Sequence, residues 1–489
     1  MSALPQIPHQ TPAQPMYQQL ATHYRSAIEA GTLKAGDRMP SLRNLMRQHS
    51  VSLSTALQLS RQLEDEGWLQ AKPRSGYFVR KPQRHSLARV AEPEADARPD
   101  PAQFVGIHER VSEFVMQRRS QRIELNFSVA RCAPELYPTQ GLKLAAQRAL
   151  RLHPQMFAIP CSARGALPLR SILAKRAMLA GMRLSPDEIQ ITNGCNEALN
   201  IALRAVAQPG DTVAVESPTF YGLLQILESL GMRAVEIPTS PATGISIEAL
   251  EFALKSYPNI KAVVVVPHLQ NPLGSIMPQA HKRRLLQLCE QHEIALIEDD
   301  SYSELMDDDI MRAQVPRAIK SWDESGCVIH CASLHKILSP GLRLGWISAG
   351  RWQARVEMLK FAQTRNNDEL PQLAVADFMA SSAYDRHLRH LRSQLKAQRE
   401  QTAEAIASYF PQGTCLNMPA GGLALWVEMP KHISSQEVFE AALKEQILVA
   451  PGALFSNSNA FDHFLRINCG WPWSEKIDRG LRRLGALAQ

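Results

Sequence analysis

A lysine set among apolar neighbours and close to an arginine can act as a nucleophilic amine, because burial and a nearby positive charge both disfavour its ammonium form. Lys336 stands in that setting in CASLHKILSPGLRLGW, with Ser333 three residues before it and Arg343 seven after. Taken alone it also reads as a surface lysine. Three further stretches could serve such an amine. In IALIEDDSYSEL, Asp299, Asp300 and Tyr302 follow an apolar run, and the carboxyl ends of strands in open α/β sheets are where ligands bind. In VVVVPHLQNPLGSIMP, Asn271 leaves a buried strand and enters a Pro-Leu-Gly turn. In ITNGCNEAL, a strand-like end reaches Gly194 and a helix opens just after it at Cys195 and Asn196; the free N–H groups of a helix start suit a phosphate. Each stretch by itself also fits an ordinary turn or strand end.

These residues need a scaffold that brings strand ends together. The runs Thr212–Glu216, Ala262–Val266, Ile294–Ile297 and Cys327–Cys331 are short and apolar, and amphipathic stretches such as Gln279–His292 separate them. That alternation predicts an α/β fold with a mainly parallel, buried sheet. Cys327 and Cys331 are expected as small core residues on one face of a strand.

The 489 residues suit two to four domains. With 45% hydrophobic and 21% charged residues, the balance is that of a globular chain and excludes a fibrous or wholly disordered one. No apolar run is long enough to span a bilayer, and the start, MSALPQIPHQTPAQP, lacks the pattern of a secretory signal. A cytoplasmic protein without a membrane partner is expected. Eight cysteines are too sparse for a disulfide scaffold, and their spacing fits no zinc site, so no metal is expected.

The net charge is +7, from 54 basic and 47 acidic residues. Tyr17 to Lys81 holds ten Lys/Arg against five Asp/Glu, or 10 − 5 = 5 of those charges. Helices are predicted over Tyr17–Ala30, Ser41–Gln48 and Ser52–Glu66, followed by a hairpin in WLQAKPRSGYFV. This is a winged helix-turn-helix pattern: the helix from Ser52 would enter a major groove and Arg74 would sit at the wing tip. A small helical interaction module is the plainer reading. The stretch from Pro82, with RHSLARVAEPEADARPDPAQ, reads as a semi-stiff linker.

The segment from Ala27 to Val79 resembles the GntR-type winged-helix domain, through Gly31 to Arg43, Val51 to Thr55 and the closing G-x-F-V. The resemblance implies DNA contacts from Arg43, Ser52, Ser54, Thr55 and Arg74. Where that family often has arginines, this chain has Leu53 and Leu57; base readout would then be weaker or rest on Gln58, Arg61 and backbone contacts.

The four chemistry-bearing stretches, in their order, resemble the fold-type-I pyridoxal 5′-phosphate (PLP) aminotransferases over about Arg122 to Gln489, joined by ESPTFYG, PAGGLALWVEMP and HFLRINCGW. The resemblance implies an α/β transferase-like body with a smaller α+β subdomain from about residue 370. By position, Lys336 would form the aldimine and shuttle a proton. Asp299 would pair with the pyridine nitrogen, Asn271 and Tyr302 would bond the ring oxygen, and Phe220 would stack on the ring. Gly194, Cys195, Asn196, Ser333 and Arg343 would hold the phosphate, and Arg466 would clamp a substrate carboxylate. Relatives often carry a tyrosine shortly before the glycine that aligns with Gly165 and reach the partner subunit's phosphate with it. Here QMFAIPCSARG has none, so either Phe157 replaces it without a hydroxyl or the loop differs.

Together the parts resemble the MocR subfamily: a DNA-binding head at 14–81, a linker at 82–121 and a body at 122–489. The expectation is a homodimeric, PLP-dependent transcriptional regulator with a double-stranded DNA operator and a small amine or amino-acid effector. A working aminotransferase and a scaffold without cofactor are the alternatives.

Overall fold

A computed structural model describes residues 15–34, 36–65, 68–72, 76–79, 87–94, 97–313, 316–458 and 460–489. The chain divides into two compact units, Met1–His85 and Ser86–Gln489. Among the described residues no helix is long and apolar enough to cross a membrane.

In the head, α1 (Met16–Glu29), α2 (Leu42–His49) and α3 (Leu53–Asp65) precede the hairpin β1 (Leu69–Lys72) and β2 (Gly76–Val79). Apolar residues at helical spacing, Leu20, Tyr24 and Ile28 on α1 and Leu59 and Leu63 on α3, bury against Leu45, Leu69 and Val79. Ser41 caps α2 by accepting from the Asn44 amide. Ser52 Oγ caps α3 by accepting from the Thr55 amide and also contacts the hydroxyls of Ser54 and Thr55. In the wing, Leu69 pairs with Val79 and Lys72 with Gly76. Arg74 lies outside the described residues.

The body's main sheet is built from β3 (Gln103–Phe104), β5 (Gln190–Thr192), β6 (Thr212–Ser217), β7 (Arg233–Ser240), β9 (Ile260–Val265), β10 (Ala295–Asp299), β11 (Val328–Ser333) and β12 (Gly345–Ser348). Their order is β3-β7-β6-β9-β10-β11-β12-β5, with β8 (Gly244–Ile245) attached to β7. Strands β7, β6, β9, β10 and β11 are parallel, as their near-continuous apolar runs require, and helices cover them. The smaller subdomain holds β13 (Cys415–Leu416), β14 (Ala424–Glu428), β16 (Ala450–Pro451) and β17 (Phe464–Asn468) in the order β13-β14-β17-β16, beside the long helix Ser382–Tyr409. It also recruits an early segment, because β4 (Leu125–Asn126) pairs with β15 (Ile447–Leu448).

Two expectations differ from the structure. The stretch 82–121 is not linker throughout: β3 joins the sheet edge, and α4 (His108–Ser120) buries Val111 and Phe114 in the body's core. Arg110 fastens this helix by donating to the carbonyls of Ala453, Ser456 and Asn457. Its apolar residues lie beyond the Pro/Ala-rich part that suggested a linker. Cys327 and Cys331 are both buried, but in different clusters on opposite sides of the sheet. β11 begins at Val328, and Cys327 still belongs to the preceding turn, where its amide donates to Asp323.

Candidate functional site

Parallel pairing places Ser217, Val265, Asp299 and Ser333 at the ends of adjacent strands, all on one edge of the sheet. β5 pairs antiparallel with β12, and β12 antiparallel with β11, so β5 ends on that edge too. Its chain turns through Gly194 (φ +80°) into the helix Cys195–Val206. The first amides of that helix, at Cys195 and Asn196, have no intrahelical acceptor. A Cβ at Gly194 would stand 3.2 Å from Arg343 Nη2. Arg343 itself donates to the Asn193 carbonyl at 3.1 Å and lies 3.4 Å from His335 Nδ1. The turn, the arginine and the helix start therefore form one cationic cradle. Ser333 borders it, with Oγ accepting from the His335 amide.

Lys336 is half-buried. Its Nζ donates to the Ala130 carbonyl at 2.5 Å and lies 5.7 Å from the centre of the Tyr302 ring. Burial first, and then the Arg466 charge, lower its pKa from 10.5 to about 8. Asp299 is 7% exposed. Burial pushes its carboxyl upward, while donors at Ser301 and Cys195 oppose that rise. Asn271 joins the cluster by accepting from Arg466 Nη1 at 2.9 Å and approaching Tyr302 Oη at 3.4 Å. Arg466, 2% exposed on β17, also donates to the Ser128 carbonyl, and its Nε has no hydrogen-bond partner among the described residues. The two terminal nitrogens expected to grip a carboxylate are thus turned to protein acceptors. A buried guanidinium takes the acceptors that border it. Phe220 is half-buried and packs on Tyr221, with ring centres 5.2 Å apart. Among the described residues it makes no hydrogen bond or ring contact with this cluster.

A charged chain lies behind the site. Lys282 Nζ meets His268 Nε2 at 2.6 Å, and His268 Nδ1 meets Asp300 Oδ1 at 2.7 Å. Burial works against the Asp300 charge, but His268 holds its carboxyl below the ordinary range. Asp300 therefore has its own partner in His268, and Asp299 is the carboxylate that meets Cys195 at the cradle.

Sequence reasoning passed over several neighbours. Ala130 and Ser128 take part through carbonyls, Cys132 Sγ lies 3.7 Å from the Lys336 carbonyl, and Phe455 packs its ring 4.9 Å from the Arg466 guanidinium. Backbone groups carry no residue signature, so no motif could have flagged them. Ser301 and the Cys195 thiol stood within noted stretches, but their shared target appears only in three dimensions.

In the head, Arg43, Ser52, Ser54, Gln58 and Arg61 are exposed, and Thr55 is half-buried. Positions 54, 58 and 61 follow helical spacing and share one face of α3. The Ser52 hydroxyl is occupied by its capping role. Leu53 is 56% exposed beside that face.

Comparison with known proteins agrees with both halves. Residues 135–484 match the family aminotransferase class I and II, and residues 16–79 match bacterial regulatory proteins of the gntR family. The HTH-type transcriptional regulator YdcR of Escherichia coli K12, itself uncharacterized, is 36% identical over 473 residues, covering 97% of this chain and 99% of its own. YjiR of the same organism, also uncharacterized, is 36% identical over 485 residues, covering 96% and 98%. Among solved structures, the kynurenine aminotransferase of Pyrococcus horikoshii superposes with a TM-score of 0.70 at 27% identity, covering 78% of this chain and 94% of that one. The chain belongs to the aminotransferase class I and II family and is an HTH-type transcriptional regulator of the MocR-like architecture, with a GntR head and a fold-type-I aminotransferase body.

Proposed function

We propose that this regulator holds PLP at Lys336 and senses PLP itself or an amino compound there, while its head binds a double-stranded DNA operator. The observation that carries the reading is the convergence, at one sheet edge, of a half-buried amine of lowered pKa, a buried carboxylate and an arginine-lined helix start. These residues fit a phosphorylated pyridine aldehyde: the cradle suits the phosphate, a Cβ at Gly194 would crowd it, and the Arg466 Nε nearby has no hydrogen-bond partner among the described residues. When bound, PLP supplies an aldehyde that takes up amines and an electron-poor ring.

The chain's own residues do the rest. Arg343, Ser333 and the amides of Gly194, Cys195 and Asn196 would hold the phosphate. Asp299 would accept from the ring nitrogen of bound PLP and favour its protonated form. Asn271 and Tyr302 would hydrogen-bond the ring oxygen, and Phe220 would stack on the ring. Lys336, partly neutral near pH 8, is the amine that would carry the group and could exchange a proton with a bound amine. Arg466 on the smaller subdomain offers its guanidinium to an effector carboxylate. The subdomain closes on the effector, and the ligand acts through its different affinity for the open and closed arrangements. A homodimer in the cytoplasm would present two heads to two half-sites.

Borohydride trapping with PLP, followed by peptide mass spectrometry, tests the site: the adduct is expected on Lys336, and an adduct elsewhere or none overturns the reading. Operator binding at fixed salt, with PLP and with an amine panel, tests the coupling, and unchanged affinity refutes it. The assembled Lys336, Asp299 and Arg466 also favour a second reading, an active aminotransferase. Rapid turnover with amino-acid and keto-acid pairs would establish it.

A further inference from the structure

Two side chains converge on one oxygen of Asp299. Ser301 Oγ donates to its Oδ1 at 2.6 Å, and Cys195 Sγ approaches the same oxygen at 3.2 Å. The Ser301 amide adds a backbone hydrogen bond to the carboxylate, and no other side chain among the described residues donates to it. A carboxylate accepts and does not donate, so both neighbours must supply the proton. Cys195 opens the helix that begins the phosphate cradle, and Asp299 closes β10. The thiol thus ties the two halves of the site to each other.

We propose that Cys195 and Ser301 are positioning residues for Asp299: they clamp Oδ1, keep the carboxylate charged, and aim it at a protonated ring nitrogen. This rests on the PLP reading above. Burial keeps the Cys195 thiol well above its ordinary pKa, so it stays a donor. Titratable groups from several elements surround Asp299. Lys336 and Cys331 lie on and after β11, Tyr302 and Asp300 follow β10, and Glu216 lies at the end of β6. Asp300 is already bound by His268 and Ser303, and Cys331 is a buried neutral thiol. Cys195 and Ser301 are the hydrogen-bond donors to the Asp299 carboxylate among the described residues.

A protonated ring nitrogen draws electrons and lowers the basicity of the conjugated nitrogen at Lys336. Weakening the Asp299 charge should therefore raise the pH midpoint of the visible absorption of the PLP-loaded full-length protein. The experiment is a spectrophotometric pH titration of wild type, C195A, S301A and the double variant, with PLP affinity measured alongside. The double variant is expected to shift the midpoint upward by about one unit, a tenfold change in the proton equilibrium, and to bind PLP about tenfold more weakly. A loaded double variant with the wild-type midpoint overturns the clamp while leaving the PLP reading intact. A wild type without visible absorption overturns both. Should the double variant fail to fold, C195S against C195V decides. Rescue by the hydroxyl but not by the apolar side chain supports the clamp, and equal midpoints overturn it.

Discussion

Replacing Arg466 by Gln should make Lys336 a poorer amine at neutral pH, although the two residues lie on different subdomains. In the folded protein Lys336 titrates near about 8 instead of 10.5, with burial as the largest cause and Arg466 next. At pH 7 a pKa of 8 leaves about 9% of the amine neutral, against about 0.03% at 10.5, so the site enriches the reactive form about 300-fold. Removing a neighbouring positive charge raises a lysine pKa, because the ammonium is no longer repelled, and about one unit is the low end for such a neighbour. The neutral fraction at pH 7 would then fall about tenfold, while burial still holds the midpoint below 10.5. The assay is the initial rate of PLP capture by borohydride reduction across pH 6 to 11, resolved at Lys336 by mass spectrometry. The wild type should reach half its maximal rate near pH 8, and Arg466→Gln near pH 9. A wild-type midpoint above 10, or one that moves down in the variant, refutes the reasoning.

Three other perturbations probe different links. Arg399, buried in the long helix, donates to both carboxylate oxygens of Asp307 at 2.6 Å; Asp307→Ala should strand that cation and cost about 3–5 kcal/mol in denaturant unfolding of the protein. Gly194→Ala forces a Cβ into a backbone at φ +80° and against Arg343. It should cost about 1–2 kcal/mol at that turn and weaken PLP binding about tenfold, read by titration of the visible absorption. In the head, Arg61→Ala should weaken operator binding and reduce the salt slope by about one, whereas Ser52→Ala should remove the α3 cap and cost about 1 kcal/mol of head stability. An unchanged salt slope for Arg61→Ala would show that this side chain meets no phosphate.

Apolar patterning was legible in this sequence because it is local. The runs later seen as β6, β9, β10 and β11, and the helix boundaries at Ser41 and Ser52, follow from residue type and short-range spacing alone. Residues 103–120 escaped that reading because the Pro/Ala-rich stretch before them carries no period, and their burial depends on a sheet edge and a core that lie far along the chain. The separation of Cys327 from Cys331 has a similar origin: the strand starts one residue later than the apolar run suggests.

The sequence by itself determined which residue types are available to the site: the amine at 336, the carboxylate at 299, and the arginines at 343 and 466. The tertiary structure decided which of them meet and through what partners. It brought Ala130 and Ser128 to the site by pairing β4 with β15, turned Arg466 toward Asn271, gave Asp300 a histidine partner, and set a thiol against Asp299. Hydrogen bonds act over about 3 Å, and residues far apart in the chain reach that distance only once the sheet and the two subdomains have assembled.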